Sequence, residues 1–260
     1  MLFYFFIFIF GLIIGSFLNV VILRLNNGEK ISGSRSHCPH CQKVLSPHEL
    51  WPVISFILQK GKCKNCKAKI SWQYPLVELS TALLFILVSY VYWGNIGIDF
   101  LSDSWQSYLP WLRNLFFVCV LVVIFVYDLR WQLILDKVTL PAMAIALIVN
   151  LWLGYGFKNL LLGMLVAGGF FLAQFLISGG RWIGGGDIRM GALIGLMLGW
   201  PNTLVALFLS YVIGAFFGVC LMILAHKDGQ TKVAFGSFLA VGTIIALLWG
   251  TQIMNKFWAI

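Results

Sequence analysis

Two carboxylates stand where acidic side chains are least expected. Asp128 closes a long apolar run that begins at Leu115, while Asp187 follows the cluster Gly184-Gly185-Gly186 and opens another apolar run. An ionisable group at membrane depth is costly to desolvate and marks a functional position by default. Two carboxylates that meet in a poorly solvated site cannot both ionise easily. They share a proton and can activate a water held between them. Plainer roles exist for each: Asp128 as an interfacial charge paired with Arg130, and Asp187 as a cap on the helix it opens. Asp136, eight residues after Asp128, is a third candidate, either as a helix cap or as a substitute partner in the pair. Glycine at 184 and 186 tolerates positive φ and close backbone approach, so a substrate chain can lie against that loop. A glycine-rich phosphate nest is a poor fit, because no Lys-Ser/Thr follows and no strand precedes.

A second chemical pattern lies upstream. Four of the six cysteines form Cys38-Pro-His-Cys41 and Cys63-Lys-Asn-Cys66, with 21 residues between the pairs. A CxxC pair closes a tight turn whose amides point at sulfur, and two such knuckles make a tetrahedral thiolate site for Zn2+. Four thiolates leave no open coordination position, which favours a structural metal. A short polar stretch with little apolar content needs such a staple. A dithiol redox pair is the competing chemistry, and His40 is an alternative ligand to one cysteine. Cys119 and Cys220 sit in apolar runs as packing residues.

The elements that must position these groups are membrane helices. Of the 260 residues, 60% are hydrophobic and 10% charged, far below the charged share of about 25% in soluble domains. Mean hydropathy is +0.92. Eight apolar runs are predicted to be helical: roughly 2–23, 74–93, 111–128, 136–154, 158–178, 187–199, 202–225 and 234–252. The expected organisation is a first transmembrane helix over 1–25, a cytoplasmic four-cysteine insert over 26–73 and a seven-helix membrane domain over 74–260. The fold class is therefore all-α and polytopic, with a small zinc-binding insert between helices one and two.

Charge asymmetry orients the chain. No Lys or Arg precedes Arg24, so the first run is not a cleaved signal peptide. Nine basic residues lie from Arg24 to Lys69, and Arg130, Lys137, Arg181, Arg189, Lys227 and Lys232 fall on the same side if all eight runs cross. Arg113, Lys158 and Lys256 fall on the other side, with the acidic Asp99 and Asp103. The positive-inside rule then puts the N-terminus outside and the insert in the cytoplasm. Asp128 and Asp187, 59 residues apart, come to the same cytoplasmic interface and share one water if their helices pack. The net charge of +9 is topology signal plus attraction to anionic membrane lipid, with no nucleic-acid partner required.

These residues together resemble the prepilin peptidases (type IV leader peptidases). Gly11 to Leu25, GLIIGSFLNVVILRL, is similar to the family's opening, and the four-cysteine insert to its cytoplasmic zinc domain. Tyr74-Pro75-Leu76-Val77-Glu78-Leu79 resembles the start of the second helix. Asp128-Leu129 resembles the first family aspartate, and Gly184-x-Gly186-Asp187 the GxGD that carries the second. The resemblance covers about residues 1 to 245. It implies an aspartic endopeptidase of the bacterial inner membrane that removes short basic leaders from prepilins or from type II secretion pseudopilins. Members with the four-cysteine insert commonly also methylate the new N-terminal amine with S-adenosylmethionine. Gly61, Lys62 and Glu78 are the candidate participants in that transfer; a knuckle turn, a solvated charge and a helix-start carboxylate are their plainer roles. The chain departs from the family in having Leu135 where Pro is common, Arg189 where Lys is usual, and Val233-Ala-Phe-Gly-Ser-Phe238 without prolines. Two other classes compete: a membrane dithiol-disulfide carrier and a non-catalytic assembly scaffold.

Overall fold

A computed structural model of the chain describes residues 2–33, 35–96, 107–225 and 234–257. Asp99, Asp103, Lys227, Lys232 and Val233 lie outside the described residues. Among the described residues there are nine α-helices and no strand beyond isolated bridges. They are α1 (Leu2–Asn27), α2 (Ile54–Leu58), α3 (Gln73–Ile96), α4 (Tyr108–Trp131), α5 (Asp136–Trp152), α6 (Phe157–Ser178), α7 (Gly185–Leu198), α8 (Asn202–Ala225) and α9 (Phe235–Phe257).

Every one of the eight apolar runs is a helix, but their lengths divide them. Six helices (α1, α3, α4, α6, α8 and α9) are long and apolar enough to cross a bilayer. The two others are shorter, with 17 residues in α5 and 14 in α7. At 1.5 Å per residue α7 extends about 21 Å, less than a hydrocarbon core of about 30 Å. The two short helices are the ones that begin with Asp136 and carry Asp187.

The chain divides into two compact units, Met1–Phe100 and Leu101–Ile260. In the first, α1 packs antiparallel on α3. The approach is close because small residues face the partner backbone: a Cβ at Gly11 would stand 2.6 Å from Ala82 Cα, and one at Gly15 would stand 2.7 Å from Glu78 Cα. Buried Asn19 fixes the register at the polar end. Its amide donates to Tyr74 O at 3.1 Å, and Gln73 Nε2 donates to its carbonyl at 3.2 Å. Between the helices, Arg24 donates to Ile31 O at 2.6 Å and tethers the start of the insert.

In the second unit, antiparallel pairs alternate along the chain. Ala167 faces Gly191 where α6 meets α7, and Gly250 faces Asn202 where α8 meets α9. The core between these pairs is built on Phe117, Leu121, Phe171, Met190, Leu193 and Leu239. Alternation brings the C-terminal ends of α4 and α6 to the same end of the unit as the N-terminal ends of α5, α7 and α9. Each of those ends is locally specified. Gln132 turns into the left-handed region (φ 51°) and donates its N–H to Asp128 O at 2.8 Å, which stops α4. Gly179 and Gly180, both with positive φ, stop α6 with the Gly180 N–H on Phe175 O at 2.9 Å.

Candidate active site and metal centre

Asp128 is held from three residues before the C-terminus of α4 and is buried, with 4% of its surface exposed. Its Oδ2 accepts the backbone N–H of Ser237 at 2.7 Å and the Ser237 hydroxyl at 3.2 Å. The same hydroxyl lies 3.2 Å from Phe125 O, one turn back on α4. Ser237 stands in the first turn of α9, so a helix N-terminus, with its unsatisfied amides, faces the carboxylate. Space for this contact depends on Gly236: a Cβ there would lie 2.9 Å from both Asp128 Oδ2 and Ile134 Cδ1. Arg130, the plain partner for Asp128, lies instead over the Trp131 ring at 5.1 Å.

Asp187 sits in the first turn of α7, and its Oδ2 accepts the Gly184 N–H at 3.1 Å. It therefore caps its helix as well as presenting a carboxylate, and the two roles coexist. Asp187 lies within electrostatic reach of Asp128. Ile134, in the segment between α4 and α5, touches the ground on both sides: it packs at Gly186, where a Cβ would be 3.0 Å from Ile134 Cβ, and at Gly236 beside Asp128. The two helices are joined through α5 and α9, each of which packs on both α4 and α7.

The glycine cluster works differently from the expectation. None of Gly184, Gly185 and Gly186 adopts a positive φ. Only Gly186 is tight, and it is tight against Ile134; Gly184 and Gly185 have ordinary room. Asp136, first residue of α5, forms an ion pair with Arg189, whose Nε also donates to Gly185 O at 3.2 Å. That pair ties the start of α5 to the first turn of α7 and gives Asp136 a charged partner.

Sequence reasoning missed Ser237, Ile134, Gln174 and Tyr211. Tyr211 on α8 shares hydrogen bonds of 3.0 and 3.1 Å with Gln174 on α6, lies edge-on to Phe235 at 5.0 Å and is within electrostatic reach of Asp187. A lone Gln inside an apolar run was the available signal.

In the first unit, Cys38, Cys41, Cys63 and Cys66 converge, with all four sulfurs within 4.8 Å of one another. The knuckles repeat the same local geometry. Cys38 N donates to Lys43 O and Cys63 N to Ala68 O, both at 2.9 Å, with left-handed Gln42 and Lys67 at equivalent positions. The bridges His37 to Val44 and Lys62 to Lys69 close both turns. The Cys38 and Cys66 sulfurs are 3.8 Å apart, matching the edge of about 3.8 Å in a tetrahedron with Zn–S bonds of about 2.3 Å. The Asn65 amide and then the Lys43 N–H hold the Cys41 thiol down to about 6. Although the Ala68 N–H points at it, Cys66 is pushed up to about 11 by burial and by the other three sulfurs. A divalent cation would relieve the crowding of these four sulfurs.

Gly61 (φ 65°) and Lys62 belong to the second knuckle, where a Cβ on Gly61 would meet the Phe56 ring at 3.2 Å. Glu78 is buried on α3 and accepts the N–H of Val53, the residue that opens α2, at 2.7 Å. The three thus lie towards the two ends of α2.

A polytopic helical membrane protein with two carboxylates within electrostatic reach of each other at helix ends, and four converging cysteines in an insert that could hold a metal, fits the class of membrane aspartic peptidases. Residues 9–92 match the bacterial peptidase A24 N-terminal domain, and residues 115–219 match the type IV leader peptidase family. The prepilin leader peptidase/N-methyltransferase of Aeromonas hydrophila is 34% identical over 276 residues, covering 95% of this chain and 91% of the relative. Its namesake in Bacillus subtilis is 34% identical over 254 residues, covering 96% and 95%. That of Pseudomonas aeruginosa is 31% identical over 275 residues, covering 95% and 90%. No solved structure matches the chain. The chain belongs to the type IV leader peptidase family.

Proposed function

We propose that this chain is a prepilin peptidase of the bacterial inner membrane. It removes the short basic leader from type IV prepilins or from type II secretion pseudopilins at the cytoplasmic face. What supports this reading is that Asp128 and Asp187 lie within electrostatic reach of each other, with Ile134 packed beside both, in a chain whose relatives bear that name. One carboxylate is ionised and removes a proton from a water, whose oxygen attacks the scissile carbonyl carbon. The other gives its proton to the carbonyl oxygen, which forms a tetrahedral diol. Proton transfer to the peptide nitrogen then breaks the C–N bond, leaving a carboxylic acid on the leader and a free amine on the mature chain. No covalent intermediate with the protein forms.

The basic residues from Arg24 to Lys69 support an insert in the cytoplasm and an N-terminus outside. The four-cysteine cluster would hold Zn2+ as a structural staple for that insert. The relatives' names extend the proposal to N-methylation of the new amine, for which S-adenosylmethionine, when bound, supplies the methyl group. Gly61, Lys62 and Glu78 around α2 are the residues proposed to take part.

The test is cleavage of a prepilin precursor in membranes by wild type and by Asp128→Asn, Asp187→Asn and Asp136→Asn. The expected result is loss of cleavage by more than about 10³-fold in the first two and less than about tenfold in the third, whose ion pair is exposed. Cleavage by either of the first two at near wild-type rate refutes the pair, and loss only in Asp136→Asn transfers the role to Asp136.

A further inference from the structure

We infer that Ser237 is a positioning residue for the peptidase reaction: its amide and hydroxyl fix Asp128 as the water-activating base and leave the shared proton to Asp187. This rests on the peptidase function proposed above and goes beyond it, because the two aspartates alone do not say which is which.

The donor sets around the two carboxylates are unequal. Asp128 Oδ2 receives a backbone N–H at 2.7 Å, short enough to be a charge-assisted bond, and an N–H can only donate. It also faces the Ser237 hydroxyl at 3.2 Å. That hydroxyl has a second acceptor, Phe125 O at the same distance, but the helix carbonyl is the weaker acceptor and an ionised oxygen draws the proton more strongly. Asp187 Oδ2 receives a single N–H, from Gly184, at 3.1 Å. Hydrogen bonds donated to a carboxylate favour its charged form, so the larger donor set selects Asp128 as the ionised member. The N-terminal end of α9 adds its partial positive charge on the same side.

Geometry around Ser237 shows the arrangement is specific to these residues. Ser237 is 1% exposed, so water does not substitute for its hydroxyl. Gly236 lets the amide reach Asp128, since a Cβ there would come within 2.9 Å of Oδ2 and 3.1 Å of Cγ. With Oδ2 engaged by α9, the other oxygen, Oδ1, is the one left to take a proton from water. Ser237 itself touches neither water nor substrate in this scheme; it acts through Asp128.

The test uses the full-length protein in lipid nanodiscs and a prepilin precursor as substrate. Ser237→Ala removes the hydroxyl and keeps the amide. Its kcat is expected to fall on the order of tenfold, with KM within about twofold and an unchanged thermal midpoint. Ser237→Thr, which retains the hydroxyl, is expected to recover most of the loss, and Ser237→Cys, a weaker donor of similar size, to fall between. A kcat for Ser237→Ala equal to wild type overturns the inference. So does a loss that tracks thermal stability across all three variants irrespective of donor strength, because that is the pattern of a packing residue. If Asp128→Asn cleaves normally in the same preparation, the peptidase pair itself fails and Ser237 loses its role with it; if Asp128→Asn is dead and Ser237→Ala is normal, only the assignment to Ser237 fails.

Discussion

Gly191 lies one helical turn beyond Asp187 and sets how closely α7 approaches α6. A Cβ added there would stand 2.5 Å from Phe171 Cδ2 and 2.8 Å from Ala167 O, where ordinary van der Waals contact begins at 3.4 Å. The Phe171 ring is fully buried and has little room to turn. Ala167 O belongs to the α6 backbone and cannot rotate away. Gly191→Ala therefore forces α6 and α7 apart by about 0.6 Å at the backbone contact, the shortfall between 2.8 and 3.4 Å. Overpacking of this kind costs about 1–3 kcal/mol. Misplacing a catalytic group by about 1 Å can cost roughly 100-fold in rate, so a shift of this size at the turn after Asp187 is expected to cost about tenfold. Gly169→Ala is the control, since a Cβ at Gly169 meets nothing within 4 Å and adds no strain on the same helix pair. The assay is precursor cleavage at matched protein amount, together with thermal unfolding in the same lipid. Gly169→Ala is expected to match wild type in both. If Gly191→Ala cleaves as fast as wild type at an unchanged thermal midpoint, close packing at Gly191 does not place Asp187.

The insert offers two further predictions. Metal analysis is expected to find one zinc per chain, and stripping it with a chelator to make residues 35–72 sensitive to protease while α1 and α3 stay protected; an insert that resists protease equally without metal refutes the staple. Such a zinc, poorly reactive towards thiol reagents, is also what a dithiol carrier lacks. Buried Glu49 accepts the Ser46 N–H and then the Ser46 hydroxyl, both at 2.9 Å, and these with nearby Lys43 hold its carboxyl below the usual carboxylate range. A lowered folded-state value means that its contribution is present in full above the ordinary carboxylate value of about 4.3 and is lost as pH falls below it. The difference in protease resistance between wild type and Glu49→Gln is therefore expected to be constant near neutrality and to close below about pH 4; a difference that does not change with pH refutes it.

How much of this was legible in the sequence depended on range. The four cysteines were legible because each knuckle is closed within eight residues, by bridges such as His37 to Val44, and the CxxC spacing alone implies it. The eight apolar runs were legible from composition, and alternation of direction followed from them. Ser237 was not legible as a partner of Asp128, because 109 residues separate them and only the packing of α9 on α4 joins them. The glycine cluster is legible as unusual, but the positive φ that it suggests is not adopted, and Gly186 makes room for the bulk of Ile134, a neighbour no local pattern reveals. Likewise Asp136 reads as a spare carboxylate until Arg189 is seen beside it.

The shortness of α7 is the feature that ties the site to the fold. A helix of 14 residues ends at about two thirds of the hydrocarbon depth, and its last carbonyls would be left unsatisfied in lipid. Fully buried Asn150 on α5 meets that need, donating to Leu196 O at 2.6 Å and to Met197 O at 3.2 Å. Arg113 on α4 in turn donates to Asn150 Oδ1 at 2.9 Å, and its guanidinium lies over the Phe117 and Tyr155 rings. Anchored there at its C-terminal end, and against α6 through Gly191, α7 has one position along its axis. Asp187 at the other end is therefore held in one place, at the end of the unit where Asp128 stands in the last turn of α4 and Ser237 in the first turn of α9. A longer, freely spanning helix would satisfy its own ends at the two interfaces and could slide; a short helix capped from inside the bundle cannot, and the proposed carboxylate pair, sharing one proton, would require that fixity.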